Sequence, residues 1–167
     1  HTCTGDGGGM VARAGLPLDP YFSASKLGWI LRHIPRAAEL ARLGHLRLGT
    51  TDAFFRDRLT GRFETDIATA SRTSLMNLAT GEWDPDLCAL FGVPRAILPE
   101  VRPSAGDFGV TAAEHVGHAI PIRGVAGDQQ AALFGQAAFA PGMAKNTYGT
   151  GCFLLMNTGD RAPVSHA

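Results

Sequence analysis

The sequence predicts an α/β fold, and three observations support this prediction. Segments with apolar residues at helical spacing alternate along the chain with short segments in which every second residue is apolar. Of the 167 residues, 45% are hydrophobic and 18% are charged, which is typical of a chain that buries a core. The sequence contains no internal repeat. This length suits one ordinary domain or the junction between two.

Capping residues and apolar spacing predict five helices. Ser23 or Ser25 can cap the first, whose apolar residues share one face, and Pro35 separates it from the second. Asp52 can cap the third, and Asp84–Pro85 opens the fourth, which closes at a glycine. The expected helices cover residues 25–34, 37–43, 52–59, 84–92 and 129–138, with a helix or tight loop over 65–74.

Alternation of apolar and polar residues predicts several short strands. Leu46 and Leu48 form one such pair, and a turn at Thr80–Gly81 ends another strand. Val125–Ala126 is expected to be the end of an apolar strand, directly before Gly127–Asp128. The expected extended segments cover 46–48, 75–78, 98–101, 108–110, 120–122 and 125–126, followed by two strands within 143–158 around a tight turn at 149–151.

Charge, cysteine usage and apolar length exclude several classes of protein. The 15 basic residues balance 15 acidic ones without concentrating either sign, so we expect no nucleic-acid partner and no anionic membrane surface. Cys3, Cys88 and Cys152 are too far apart for a zinc knuckle or a disulfide framework, which favours reduced thiols in a cytoplasmic protein. His115 and His118 form the only close histidine pair and lack further ligands, so no metal site is predicted. No apolar stretch is long enough to span a bilayer.

The two ends of the chain favour an internal fragment of a longer protein. Residues 1–15 are glycine-rich and lack periodicity, and no strand precedes them, so they do not fit a phosphate-binding loop. We leave them unassigned and expect disorder or a fragment end. The chain begins with histidine and stops in a polar run, 161–167, soon after a strand-like segment.

One candidate for chemistry is the carboxylate of Asp128, in the segment 127–130. It lies where an expected strand ends and an expected helix begins, which is where ligands gather in α/β proteins. There it can accept a proton from a hydroxyl nucleophile. A simpler interpretation is that Asp128 caps the helix.

Two further segments are ambiguous by themselves. Gly149, Thr150 and Gly151 can cradle phosphate oxygens with backbone N–H groups and a hydroxyl, although an ordinary hairpin turn explains the same residues. Tyr21 and Trp29 flank the start of a helix, which by itself indicates core packing.

Taken together and in this order, these segments resemble the FGGY family of carbohydrate kinases. Residues 21–33 resemble the first signature of the family at every constrained position. Residues 127–136 and 144–153 resemble the glycerol kinases within it. Three shorter segments agree with the same group: 19–22, 70–73 and 98–101. The resemblance runs from about Leu16 to Asp160.

The resemblance implies an actin-like (ribonuclease H-like) kinase fold, of which this chain is a part spanning the junction of two domains. Members of the family have two α/β domains with the active site in the cleft between them. Residues 16–140 would be the later part of the FGGY amino-terminal domain. Residues 141–167 would be the hinge, at Pro141–Gly142, and the start of the carboxy-terminal domain.

The resemblance also implies ATP-dependent phosphorylation of glycerol to sn-glycerol 3-phosphate, with Mg²⁺ bound to the ATP. Asp128 would be the general base that takes a proton from the terminal hydroxyl of glycerol. Gly149 and Thr150 match the turn that contacts the nucleotide phosphates. Four residues match glycerol-binding positions of the family: Tyr21, Asp128, Gln129 and Phe153.

Several family motifs have no counterpart in this sequence. They are the Asp-x-Gly-Thr phosphate loop, the Arg-Glu pair and tryptophan of the glycerol pocket, and the adenine-binding segment. We therefore expect the chain to be inactive by itself. The alternatives are an FGGY kinase for another polyol or sugar and a non-catalytic actin-like binding domain. If the full-length protein is a glycerol kinase or another FGGY kinase, a homo-oligomer is compatible with the sequence.

Overall fold

Helices and short strands alternate along residues 7–163, which are the residues that this computed structural model describes, and the predicted α/β class is confirmed. The helices are α1 Gly7–Ala14, α2 Ser23–His33, α3 Pro35–Arg42, α4 Thr51–Thr60, α5 Ile67–Ala70, α6 Pro85–Phe91, α7 Ala113–Val116 and α8 Asp128–Gly135, with a 3-10 turn at Arg95–Ile97. The strands are β1 Glu64–Asp66, β2 Met76–Asn77, β3 Glu82–Trp83, β4 Glu100–Arg102, β5 Ala144–Tyr148 and β6 Cys152–Met156. The chain divides into two compact units, the first ending at Val125 and the second beginning at Ala126. None of the described helices has the length and apolar character needed to cross a bilayer.

Two small sheets organise the first unit. Strands β1 and β4 pair in parallel, with Glu64 opposite Glu100. A parallel pair needs a long crossover, which α5, the β2–β3 pair and α6 supply here. Strands β2 and β3 pair antiparallel, with Met76 opposite Trp83.

The core of the first unit forms between these sheets and helices α2, α5 and α6. Its buried members are Ala24, Leu27, Ala70, Leu75, Met76, Trp83, Cys88, Val93, Ile97 and Leu98. The indole N–H of Trp83 donates to the carbonyl oxygen of Pro99 at 2.7 Å, so the polar atom of this buried side chain is satisfied. A Cβ at Gly28 would lie 2.3 Å from the carbonyl oxygen of Phe91, so the packing of α2 against the end of α6 requires a glycine at this position.

The predicted caps are confirmed for α6 and wrong for α2 and α4. The carboxylate of Asp84 accepts from the backbone N–H groups of the first turn of α6, and Gly92 closes this helix with a left-handed conformation (φ 67°). The hydroxyl of Ser25 donates to a carbonyl instead of accepting from a backbone N–H. The carboxylate of Asp52 accepts from the hydroxyls of Thr50 and Thr65, so it does not cap α4.

Three of the expected extended segments in the first unit, 46–48, 108–110 and 120–122, do not form regular strands. The segment 46–48 makes a single backbone contact, from the N–H of Leu48 to the carbonyl of Ile97, at 2.9 Å. Segments 108–110 and 120–122 exchange backbone hydrogen bonds, from the N–H of Phe108 to Ile122 at 3.0 Å and from the N–H of Ile122 to Gly109 at 2.9 Å, but their pairing is an isolated bridge and not a regular ladder. Alternation predicts which residues can face a core, but a strand also needs a partner with a repeating hydrogen-bond ladder.

Residues 7–14 form α1, although the sequence predicted no regular structure there. Met10 and Ala14 are four residues apart and lie on one helix face, which is buried in a second apolar cluster. The cluster is completed by Leu16, Phe22 and Leu87. Residues 1–6 lie outside the described part of the chain.

The second unit is a β-hairpin packed against one helix. Strands β5 and β6 pair antiparallel, with Tyr148 opposite Cys152 next to the turn at 149–151, so the predicted hairpin is confirmed. Helix α8 packs against both strands. The boundary of the family domains expected at Pro141–Gly142 remains a prediction.

Candidate active site

Asp128 is the first residue of α8, directly after the N-cap residue Gly127. Its carboxylate is exposed and accepts a hydrogen bond from Nε2 of Gln129 at 2.9 Å. The interpretation of Asp128 as the helix cap is therefore wrong, because Gly127 holds the N-cap position. A carboxylate in the first helical turn is stabilised by the positive end of the helix dipole.

No regular strand leads into Asp128, contrary to the prediction. The N–H of Val125 donates to the carbonyl of Ser104 at 2.9 Å, and Gly124 forms an isolated bridge with Ala105. These contacts do not continue as a ladder, so the segment before α8 is extended without being part of a sheet.

Gln129 joins Asp128 to a buried lysine on β5. The ammonium group of Lys145 donates to Oε1 of Gln129 and to the hydroxyl of Thr147, the latter at 2.7 Å. Lys145 is only 2% exposed, whereas Asp128 is exposed and Gln129 is half-buried. A continuous series of polar contacts therefore runs from the hairpin interior to the exposed carboxylate.

The hairpin presents one face to this series of contacts. Thr147 is directly opposite Phe153, and Lys145 is directly opposite Leu155. Residues opposite each other in a pair point to the same side of a sheet. The half-buried ring of Phe153 therefore lies on the face that also carries Lys145 and Thr147.

The turn between β5 and β6 is tight and exposed. The N–H of Gly149 donates to the carbonyl of Gly151 at 2.9 Å, and Gly149 and Thr150 are both exposed. A Cβ at Gly151 would lie 2.7 Å from Cε2 of Phe153. The phenyl ring and the turn are thus packed together, and the backbone and hydroxyl of Thr150 are accessible to a ligand.

Tyr21 lies in the first unit, just before α2, and is 63% exposed. Its N–H donates to the carboxylate of Asp19 at 2.7 Å, and the ammonium of Lys26 donates to its carbonyl at 2.6 Å. Trp29 is 53% exposed and stacks on His33 with ring centroids 4.8 Å apart. Core packing, the simpler interpretation of Tyr21 and Trp29, is therefore wrong, because both rings reach solvent.

The structure thus places five of the six predicted site residues in the second unit and the sixth, Tyr21, in the first. Sequence reasoning missed Lys145. The burial of Lys145 follows from the packing of α8 against the hairpin, which the sequence of β5 alone does not reveal. Among residues 7–163 no three His, Cys, Asp or Glu side chains are grouped to hold a metal ion.

Residues 4–135 match the amino-terminal domain of the FGGY family of carbohydrate kinases. The chain is 55% identical to the glycerol kinase of Verminephrobacter eiseniae over 163 residues, which are 96% of this chain and 32% of that protein. It is 57% identical to the glycerol kinase of Xanthobacter autotrophicus over 163 residues, 96% of this chain and 33% of that protein. The chain therefore spans about a third of the length of the curated relatives it matches.

Solved structures of kinases have the same fold. A glycerol kinase of Plasmodium falciparum, solved with ADP, has a TM-score of 0.94 and 36% identity, with coverage of 99% of this chain and 33% of that chain. A xylulose kinase from Rhodospirillum rubrum has a TM-score of 0.76 and 25% identity, with coverage of 90% of this chain and 32% of that chain. These similarities confirm the predicted actin-like kinase fold.

Proposed function

The chain belongs to the FGGY family of carbohydrate kinases, and we propose that it contributes the general base and part of the substrate site to an ATP-dependent glycerol kinase. The identity of 55–57% with proteins named glycerol kinase supports this substrate. The similarity to a glycerol kinase solved with ADP supports ATP as the phosphoryl donor.

The observation that carries the proposal is the exposed carboxylate of Asp128 at the start of α8. The described contact of this carboxylate uses Oδ2, the acceptor for Gln129 Nε2, which leaves Oδ1 available to a substrate hydroxyl. A general base must come within hydrogen-bond reach, roughly 2.6–3.2 Å, of the proton it removes. The accessible Oδ1 of this anchored carboxylate supports the proposed role.

In the proposed reaction, Asp128 accepts the proton of a terminal hydroxyl of glycerol as that oxygen attacks the γ-phosphorus of Mg-ATP in line. The new bond joins the glycerol oxygen to phosphorus, and the bond from phosphorus to the β,γ-bridging oxygen breaks. The products are sn-glycerol 3-phosphate, ADP and a proton, held first on Asp128. Positioning and charge neutralisation provide most of the catalysis in such transfers.

The other predicted site residues have accessible groups that suit their proposed roles. Gln129 retains a second amide proton for a glycerol hydroxyl, and Tyr21 offers its own hydroxyl. The phenyl ring of Phe153 can contact the glycerol carbons. The hydroxyl and backbone N–H of the exposed Thr150, next to Gly149, can bind nucleotide phosphates.

We predict that Asp128→Asn strongly slows phosphoryl transfer without weakening ATP binding. The test uses a chimera in which this chain replaces the 163 matched residues of the Verminephrobacter eiseniae glycerol kinase. Because general-base catalysis contributes roughly 10²- to 10⁴-fold, kcat for glycerol-dependent ADP release should fall by about that factor, with KM for ATP unchanged.

Asp160→Asn is the matched control, because Asp160 is an exposed carboxylate of the same unit outside the proposed site. It should retain full activity. A folded chimera that does not phosphorylate glycerol, or an Asp128→Asn variant that does so at the parent rate, would contradict the proposal.

The similarity to xylulose kinases makes a pentulose the second candidate substrate. A panel containing glycerol, D-xylulose and other polyols would distinguish the two. A higher kcat/KM for the pentulose than for glycerol in the chimera would favour the second candidate.

A further inference from the structure

Lys145 is a buried cation whose hydrogen-bond acceptors are neutral. It is 2% exposed, and its ammonium donates to the amide oxygen of Gln129 and to the hydroxyl of Thr147. Within the part of the chain that the structure describes, no carboxylate lies within 4.0 Å of this ammonium group. Burial of a charge without a counter-charge costs free energy, so stability alone does not explain a lysine at this position.

The contacts of Lys145 determine which way the Gln129 amide points. An ammonium group has donors and no acceptor, so the amide must turn Oε1 toward Lys145. The opposite end of the amide, Nε2, then faces Asp128 and donates to Oδ2 at 2.9 Å. With the amide reversed, an oxygen would face the carboxylate and repel it.

We propose that Lys145 is a positioning residue for the general base, acting through the amide of Gln129. By holding Nε2 toward Asp128, Lys145 keeps Oδ2 of the carboxylate engaged and Oδ1 free for the substrate hydroxyl. The inference rests on the proposed kinase function and adds to it a residue that need not touch substrate.

The first test is kinetic and uses the chimera with Lys145→Met, which removes the charge and the donors with little change in side-chain length. Because a misplacement of about 1 Å can cost up to about 10²-fold in rate, kcat should fall about 10- to 100-fold, with KM for ATP unchanged. Thr147→Val is the matched control, since it removes the other acceptor of Lys145 and leaves the contact with Gln129; kcat should change less than about 3-fold. A Lys145→Met enzyme with kcat within about 2-fold of the parent would overturn the proposal.

A double-mutant cycle separates positioning from a purely structural role. If Lys145 acts through Gln129, the double variant Lys145→Met, Gln129→Leu should be no slower than Gln129→Leu alone. If the fold-losses in kcat of the two single variants multiplied in the double variant, Lys145 would act independently of Gln129. That result would also overturn the proposal.

A second variant keeps the test decisive if Lys145→Met fails to fold. Gln129→Glu keeps an acceptor for Lys145 and gives it a counter-charge, but it places a carboxylate oxygen against Asp128. The variant should therefore have a kcat lowered at least 10-fold. An unchanged kcat in this variant would contradict the inference.

Failure of the inference can be told apart from failure of the proposed function. If the chimera does not phosphorylate glycerol, or if Asp128→Asn retains the parent rate, the kinase proposal itself fails. The geometry is tested without catalysis by NMR of the 167-residue chain, in which Lys145→Met should shift the side-chain amide signals of Gln129 more than Thr147→Val does. Unshifted amide signals in Lys145→Met would overturn the positioning role whatever the kinetics.

Discussion

At the scale of single residues, Gly151 determines where the ring of Phe153 lies. A Cβ at this position would approach Cε2 and Cζ of Phe153 to 2.7 and 3.0 Å, closer than van der Waals contact allows. The ring is the far end of a side chain and can move, so the fold can accommodate a methyl group there at little cost. The position of the proposed glycerol contact would nevertheless change.

We therefore predict that Gly151→Ala raises KM for glycerol in the chimera by about 10-fold, the loss expected for an imperfect apolar contact of roughly 1–2 kcal/mol. Gly135→Ala is the control, because a Cβ there meets no atom within 4 Å and alanine favours a helix. Steady-state kinetics with varied glycerol would measure both variants. Equal KM values in Gly151→Ala and the parent would contradict this role of the glycine.

At the scale of elements, Asp84 connects the start of α6 with two other segments. Its buried carboxylate accepts from the backbone N–H groups of Asp86 and Leu87, from the amide of Asn77 at 2.8 Å and from the guanidinium of Arg13 at 3.2 Å. Burial alone would raise the pKa of Asp84, but these four donors outweigh it and lower the pKa below the usual value.

The lowered pKa of Asp84 makes the free energy of unfolding depend on pH. The ionised carboxylate makes its full contribution to stability at pH values above the pKa of Asp84 in the unfolded chain, about 3.9. This contribution is lost as the pH falls through the lower pKa that Asp84 has in the folded chain. We predict that Asp84→Asn lowers the free energy of unfolding by about 1–2 kcal/mol at pH 7, with a smaller difference from the parent at pH 3.

Urea unfolding of the chain at the two pH values would measure the effect of Asp84→Asn. Asp86→Asn serves as the comparison, because the carboxylate of Asp86 is 71% exposed and contacts only Arg13 among the described partners of its side chain. A difference between the parent and Asp84→Asn that stays the same at pH 3 and pH 7 would contradict the predicted linkage.

At the scale of the whole molecule, the two units each bury a cation, but in different ways. In the first unit Arg56 is 3% exposed, pairs with the carboxylate of Glu64 and stacks over the ring of Phe108 at 4.1 Å. Burial lowers the pKa of Arg56, against the attraction of Glu64 and neighbouring carboxylates. In the second unit Lys145 has no such counter-charge among the described residues. This difference fits a structural ion pair for Arg56 and the proposed positioning role for Lys145.

We predict that Glu64→Gln lowers the free energy of unfolding by about 3–5 kcal/mol, because it removes the carboxylate that pairs directly with the buried guanidinium of Arg56. Replacing Arg56 and Glu64 together with leucine should cost much less, since neither member of the pair is then left buried without its partner. Urea unfolding of the two variants would show the difference. If the free energy of unfolding of Glu64→Gln were within about 1 kcal/mol of that of the parent, the predicted dependence on the ion pair would be contradicted.

How far the candidate site could be predicted depended on the kind of interaction at each residue. Asp128 and the turn at 149–151 were found from local motifs and their family resemblance. Lys145 was missed because its importance comes from burial and from a contact with Gln129, 16 residues earlier in the chain. The roles of Asp128, Gln129, Tyr21, Phe153 and the turn remain proposals that the experiments above address.

The sequence by itself determined the features whose causes are local. The cap at Asp84, the left-handed glycine that ends α6 and the hairpin around 149–151 each depend on residues within a few positions of one another. Only the tertiary structure decided which alternating segments became strands and which charged side chains were buried. A strand at 46–48 or 125–126 would need a ladder of partners from distant parts of the chain, and the burial of Lys145 depends on the packing of α8 against the hairpin. Such contacts are between residues far apart in sequence, so no local pattern specifies them.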